Sequence, residues 1–286
     1  MKLGIVFANT LGWTDKSAAI LGNVCEDLDY DSVWTVEHVV LPENFKSAYP
    51  YSKDGKMPGG DGALVPDPII WLAYLAGVTT KLKLATGIVI LPQRNPLMFA
   101  KETATLDLMS QGRLILGVGI GWLKEEFEAL DVDFSTRAQR TEETIGALRA
   151  LWTQESASYH GNLINFDNMK SNPKPFQKDG IPIVIGGHSE AAAKRAGKMG
   201  NGFFPAIQDS EELLKLVKIM KQSAEEAGRD PKEIEITFAA NFDEKVLETF
   251  VQVGVSRLVV PPLGRTKEEL TDFLSNCKTQ VLKVTG

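Results

Sequence analysis

The sequence predicts a (β/α)8 TIM barrel with insertions, of the α/β class. Two observations carry that prediction. Short β-type runs alternate strictly with helical patterns along the chain, eight of each, and strict alternation means a parallel sheet with helical crossovers. The 286 residues also suit a barrel of the usual ~250 residues enlarged by two irregular stretches, one after the second strand and one before the fifth. The rival architecture is an open doubly wound sheet, and the count of eight favours closure. No internal repeat, low-complexity tract or linker interrupts the pattern, so residues 1–286 are expected to form one domain.

The elements follow in order. Residues 3–8 are β-rich and 17–28 helical. Residues 32–37 are the second strand, followed by a Gly-, Pro- and Lys-containing insertion from Leu41 to Pro66. Pro68 behind Asp67 suits the first turn of a helix reaching Thr79. Residues 82–90 form a strongly β-branched third strand, and Asn95-Pro96 opens a helix to about Ser110. A fourth strand spans 114–118 and, after a Gly-rich turn, an amphipathic helix runs over 137–152. The polar, Pro-punctuated stretch 156–181 holds two short extended pieces, around Tyr159 and at 163–166. Strands at 182–185, 202–204, 234–239 and 256–260 then alternate with helices at 189–199, 210–227, 243–253 and 266–282.

Composition excludes several classes of function. The net charge is −6, with 31 basic and 37 acidic residues and no clustered basic face, so neither nucleic acid nor an anionic membrane is an expected partner. Two distant cysteines, Cys25 and Cys277, make neither a disulfide framework nor a thiolate zinc site. The apolar run at 4–8 is too short for a signal segment, and no stretch reaches ~18 uninterrupted apolar residues. A cytoplasmic enzyme is expected. The three histidines show no metal-ligand spacing, so no metal is expected.

A barrel of this kind places its active site at the C-terminal strand ends. Those ends offer Asn9 and Trp13, Glu37-His38, the stretches 87–94, 119–122 and 186–189, then Pro205 and Pro261-Pro262. Gly186-Gly187-His188-Ser189 is either a phosphate site at a helix N-terminus or a tight turn with an ordinary serine cap. Gly117-Val118-Gly119-Ile120-Gly121-Trp122 is no dinucleotide fingerprint, because its third glycine comes one residue early; its glycines serve either rim packing or cofactor contact. An imidazole moves protons near neutral pH, which makes His38 a candidate catalyst. Arg137 and Arg140 either pair with Glu142 and Glu143 or reach a ligand phosphate. Trp13 and Trp122 either wall an aromatic cofactor or simply pack. His160 is expected at the surface.

Five segments together carry a resemblance: Y-D-S-V-W-T-V-E-H-V-V-L-P (30–42), L-A-T-G-I-V-I-L-P-Q-R-N-P (84–96), A-K-E-T-A-T-L-D-L-M-S-Q-G-R-L-I-L-G-V-G-I-G-W (100–122), F-S-T-R-A-Q-R-T-E-E (134–143) and P-I-V-I-G-G-H-S-E-A-A-A-K-R-A-G-K-M-G-N-G-F-F-P (182–205). With them the chain resembles the luciferase-like monooxygenase superfamily, in particular its branch of coenzyme F420-dependent oxidoreductases. The resemblance spans nearly the whole chain. It implies a bacterial-luciferase-like barrel and an enzyme that moves a hydride between F420 and a small organic substrate. It places the cofactor phosphate near Gly186, Gly187, His188 and Ser189, a nonprolyl cis peptide at Gly87–Ile88 under the ring, and Gly121 and Trp122 along the ring or tail. His38 becomes the proton donor or acceptor, and Glu37 either orients it or serves in its place. Glu37 stands where many F420 members carry Asp. Lys194 and Arg195 are candidates for a basic groove receiving an acidic cofactor tail. The resemblance further implies a homodimer. The first alternative is an FMN-dependent monooxygenase using reduced flavin from a partner reductase and O2. An alternative of another class is a non-catalytic flavin-binding protein. The insertion from Leu41 to Pro66 is expected to form a lid or one wall of the substrate pocket.

Overall fold

The computed structural model describes residues 1–11, 16–207, 209–264 and 266–285. In chain order its elements are β1 (Lys2–Val6), α1 (Ser17–Asp27), β2 (Ser32–Thr35), α2 (Pro68–Val78), β3 (Lys83–Thr86), β4 (Val89–Ile90), α3 (Pro96–Met109), β5 (Leu114–Gly119), α4 (Lys124–Ala129), α5 (Arg137–Thr153), β6 (Ala157–His160), β7 (Asn165–Met169), β8 (Ile183–Gly186), α6 (Glu190–Met199), β9 (Gly202–Phe204), α7 (Ser210–Glu226), β10 (Glu235–Ala239), α8 (Glu244–Val253), β11 (Val255–Val260) and α9 (Lys267–Thr285). Sheet neighbours run β3-β2-β1-β11-β10-β9-β8-β5-β4, and an additional β3–β5 pairing closes the ring. With β3 and β4 as two pieces of one position, this is the closed eight-stranded parallel barrel that the alternation predicts.

The third strand departs from the expected continuous run over 82–90. β3 meets β5 at Leu84↔Leu114 and Ala85↔Ile115, whereas β4 meets it at Val89↔Val118. One extra residue therefore stands on the 85–89 side, as in a β-bulge. Two other features fall outside the alternation. α4 is an additional short helix between β5 and α5, and the two extended pieces of 156–181 pair as an antiparallel hairpin, β6–β7, outside the barrel sheet.

Polar caps start the helices that leave the strand ends. Asp67 accepts from the N–H groups of Ile69 and Ile70 at 2.9 Å, and Asn95 from those of Leu97 and Met98. Ser189, Asp209 and Asp243 do the same for α6, α7 and α8. Each such cap is worth about 1 kcal/mol of helix stability.

Two apolar clusters hold the fold. The larger lies between sheet and helices. The smaller joins Val6, Trp34, Ala85, Val184 and Val259, with Ile115 and Phe204 against it. Trp34 is fully buried, and its indole meets the Phe204 ring edge-on at 5.4 Å. The interior is thus filled, as small barrels require. At the strand starts, buried Arg257 donates through Nε to Asp31 at 2.8 Å and through Nη1 to Glu235 at 3.2 Å. That network sits at the end opposite the mouth, so the polar groups at the strand ends are left for function. Among the described residues no helix is long and apolar enough to cross a membrane.

Candidate active site

The mouth is built around residues 86–88. The Gly87–Ile88 peptide is cis. The neighbouring strands make room for it with residues that lack a side chain. A Cβ on Gly117 would lie 1.9 Å from the Thr86 carbonyl oxygen, one on Gly119 2.6 Å from Ile88 Cδ1, and one on Gly186 2.5 Å from Ile88 Cγ2. The Thr86 hydroxyl donates to the Gly117 carbonyl at 2.7 Å, and the Gly87 N–H to the Thr35 carbonyl at 2.5 Å. Gly121 is fixed by packing of another kind: it holds φ +78°, and Phe127 and Ile90 occupy the place of its Cβ. Side-chain-bearing residues reach that backbone region only at a cost.

Glu37 and His38 leave the end of β2 in different directions. Glu37, 6% exposed, accepts from the Ile90 N–H at 2.5 Å and from Arg94 Nη2. Arg94 also donates to Asp67, 3.1 Å away, which caps α2. Burial raises the Glu37 carboxyl, and Arg94 pulls it back. Burial alone would lower the Arg94 guanidinium, but Glu37 and Asp67 hold it above its ordinary range. Glu37 therefore does not orient His38 by direct contact: its carboxylate ties β2 to the turn after β4. The carboxylate that meets His38 is Glu126 of α4, with His38 Nδ1 and Glu126 Oε2 3.0 Å apart. The His38 side chain keeps 10% of its surface, while that of Glu126 keeps none.

The insertion forms a wall of aromatic rings. Trp122 meets His38 at 5.7 Å, Phe45 at 5.7 Å and Tyr49 at 5.3 Å, all edge-on. Tyr49 meets Tyr51 at 5.2 Å, and Tyr51 meets His188 at 5.1 Å. An unbroken series of ring contacts thus runs from His38 to His188. Glu125 anchors the insertion to α4: its carboxylate accepts from the Lys46 N–H at 2.7 Å, the Ser47 N–H at 3.1 Å and the Ser47 hydroxyl at 2.6 Å. The Ser47 hydroxyl, with those N–H groups, holds the Glu125 carboxyl down at about 2.

The turn at 186–189 starts α6. Gly187 holds φ +130° and donates its N–H to the Phe204 carbonyl at 3.3 Å. Ser189 Oγ accepts from the Ala192 N–H at 3.2 Å. His188 Nδ1 is buried without a hydrogen-bond partner.

A sequence profile described as luciferase-like monooxygenase matches residues 16–242. The chain belongs to that family. A protein of Mycobacterium tuberculosis is 31% identical over 241 residues, covering 84% of this chain and 83% of its own. The F420-dependent glucose-6-phosphate dehydrogenase of Amycolatopsis mediterranei is 29% identical over 234 residues, 78% of this chain and 65% of that one. The FMNH2-dependent dimethylsulfone monooxygenase of Pseudomonas putida is 36% identical over 133 residues, 46% of this chain and 36% of its own. Among solved structures, a monooxygenase from Streptomyces bottropensis superposes with TM-score 0.78 at 23% identity over the full length of both chains. An F420-dependent secondary alcohol dehydrogenase with an F420-acetone adduct gives TM-score 0.78 at 18% identity, with 98% of each chain covered. These two show the shared barrel. The two named relatives above with stated activities are a dehydrogenase and a monooxygenase, and the chain is an oxidoreductase or monooxygenase of this family.

Within this luciferase-like frame, contacts link most of the residues the sequence singles out. Ile88 lies against Gly119 and Gly186, Trp122 against His38, and His188 against Tyr51. Other expectations are corrected. Arg195 is buried and donates to Glu142 at 3.0 Å, which ties α6 to α5 and removes Arg195 from any basic groove. Lys194 is exposed in the outer cleft between α6 and α7, beside Glu190 and Glu226. Glu143 does not pair with Arg137 or Arg140; it accepts from the N–H groups of 162–164. Arg137 donates to the Phe134 carbonyl and lies over the Phe134 ring. His160 is exposed, as expected, and meets Asp167 at 3.2 Å. Trp13 lies outside the described residues. Sequence reading missed Glu125, Glu126, Tyr49 and Tyr51. The adjacent acids before an apolar Phe127 were the one available signal, since they suit the first turn of a helix.

Proposed function

We propose that this chain binds a deazaflavin of the F420 type at the barrel mouth and moves a hydride between it and a small organic substrate. The carrying observation is that Ile88 lies against Gly186, where a capped glycine turn begins. The residues fit the group. The leading N–H groups of α6 have no partner within the helix, and the helix dipole favours an anion there. Gly186, Gly187, His188 and Ser189 would hold the phosphate, and buried His188 Nδ1 is a polar atom still to be met. Gly87, Ile88, Gly121 and Trp122 would lie along the ring. Relatives named for F420 support the choice of cofactor.

When bound, the cofactor supplies the redox chemistry. The chain orients it, and the ring wall of Trp122, Tyr49 and Tyr51 excludes water. His38 gives or takes the accompanying proton. Glu37 holds Arg94 and Ile90 in place and does not share that task. Replacing His38 by Ala should lower turnover on a panel of small alcohols and carbonyl compounds by about 10²–10⁴, with cofactor affinity kept. Lost affinity with unchanged turnover would contradict the role.

One relative favours a second reading. The Pseudomonas putida monooxygenase is named for FMNH2, and the same phosphate turn would serve FMN. In that reading a partner flavin reductase delivers reduced FMN, and O2 is the co-substrate.

The quaternary proposal is a homodimer through α2. That helix is apolar on every side: Ile69, Leu72 and Leu75 are buried, whereas Ile70, Tyr74 and Val78, four residues apart, are exposed. A helix hydrophobic all round is normally covered. Met98 and Met109 are exposed on α3, which packs beside it. A second copy presents the same face, as a two-fold interface requires.

A further inference from the structure

We infer that Glu126 is a positioning residue that fixes the tautomer of His38, with the hydrogen on Nδ1 and the lone pair on Nε2. Its functional meaning rests on the proposed proton role of His38, but the tautomer itself depends on no cofactor.

Both oxygens of Glu126 are engaged. Oε1 accepts from the main-chain N–H groups of Val39 at 2.6 Å and Val40 at 3.2 Å. Oε2 lies 3.0 Å from His38 Nδ1. The side chain is fully enclosed, so no water replaces either contact. Two main-chain donors on one oxygen suit a carboxylate. An ionised carboxylate only accepts, so the hydrogen between Nδ1 and Oε2 belongs to the ring. In a neutral imidazole the other nitrogen then carries the lone pair. Among the described residues Nε2 has no hydrogen-bond partner, and it is the atom left to take a proton. The ring is further fixed by the edge of Trp122 at 5.7 Å. The neighbouring Glu125 holds Lys46 and Ser47, so two consecutive carboxylates of α4 set the segment that carries His38. A group that orients a histidine from behind governs which nitrogen faces the reaction.

The inference predicts an inversion in Glu126→Gln. The carboxamide oxygen keeps the Val39 and Val40 N–H groups. The amide N–H then faces Nδ1 and donates to it, so the ring hydrogen moves to Nε2. The test is long-range 1H–15N correlation on protein labelled with 15N-histidine, at a pH where the imidazoles are neutral. Only His38, His160 and His188 contribute, and single His→Gln variants assign them. The expected result is a pyrrole-like nitrogen at Nδ1 of His38 in the wild type and at Nε2 in Glu126→Gln. A wild-type His38 carrying its hydrogen on Nε2 would overturn the inference, as would a folded Glu126→Gln that keeps the wild-type tautomer. If that variant fails to fold, the wild-type spectrum decides alone. The expected tautomers in a protein that binds neither F420 nor FMN would support the role of Glu126 while contradicting the proposed function.

Discussion

The Ile88 side chain stands where a side chain on Gly186 would begin: a Cβ there would lie 2.5 Å from Ile88 Cγ2. The two strand ends are complementary, one carrying the bulk and the other its absence. Gly186→Ala should therefore overpack the mouth and destabilise the protein by about 1–3 kcal/mol. Adding Ile88→Ala removes the opposing carbon, and the double variant should regain part of the loss. Urea unfolding of the three variants checks this. Equal additive losses would show that the two residues do not press on each other.

Arg94 supports a buried acid, so its removal should be costly. Arg94→Met leaves Glu37 enclosed without its cation, and breaking such a pair costs about 3–5 kcal/mol. The pH dependence has a definite sign. Burial already raises the Glu37 carboxyl, and without Arg94 only the Ile90 N–H pulls it back. A carboxyl raised in the folded state favours folding below its unfolded pKa and loses that benefit as pH rises. The deficit of Arg94→Met should be largest at neutral pH and shrink toward the ordinary carboxylate range. Denaturation of wild type and variant at several pH values measures it.

Glu125 gives the opposite sign. Its carboxyl is lowered from 4.5 to about 2 by Ser47 and the N–H groups of Lys46 and Ser47. A depressed carboxyl stabilises fully above its unfolded value and loses that effect as pH falls through the folded one. The hold on residues 46–47 should persist at pH 5 and fail progressively between 4.5 and about 2. Trp122 touches Phe45 and Tyr49, so its fluorescence should report the release. Glu125→Gln should lack this acid transition, so the wild-type-minus-variant difference isolates it.

The exposed face of α2 predicts assembly. Ile70 is 73% exposed, so Ile70→Glu should alter folding stability by no more than about 0.5 kcal/mol. It should nonetheless convert a dimer to a monomer in light scattering. A monomeric wild type would contradict the proposed interface.

The fold was legible because each strand of a closed parallel barrel is followed by a helix, so the period of the pattern changes at every turn. Asp67-Pro68 and Asn95-Pro96 marked two helix starts by chemistry alone. The break at Gly87–Ile88 could not be read from periodicity, since Leu82 to Ile90 is mostly apolar, interrupted by Lys83 and Thr86 with no marked change at residue 87; only the resemblance pointed to it. By sequence the glycines at 117 and 119 suit either rim packing or cofactor contact; in the fold they face Thr86 and Ile88. The partner of His38 was hidden because Glu126 lies 88 residues away on a six-residue helix without a full period. Glu37 looked apt through adjacency, but successive residues leaving a strand point apart. The Tyr49–Tyr51 wall comes from an irregular insertion, where local sequence constrains no geometry.

The central claim is that this barrel mouth holds a deazaflavin. Fluorescence titration of the purified protein with F420 and with FMN, each oxidised and reduced, tests it most directly. The account predicts tight F420 binding, much weaker FMN binding, and loss of F420 affinity in Gly186→Ala. Preferential binding of reduced FMN, or binding of neither cofactor, would contradict it.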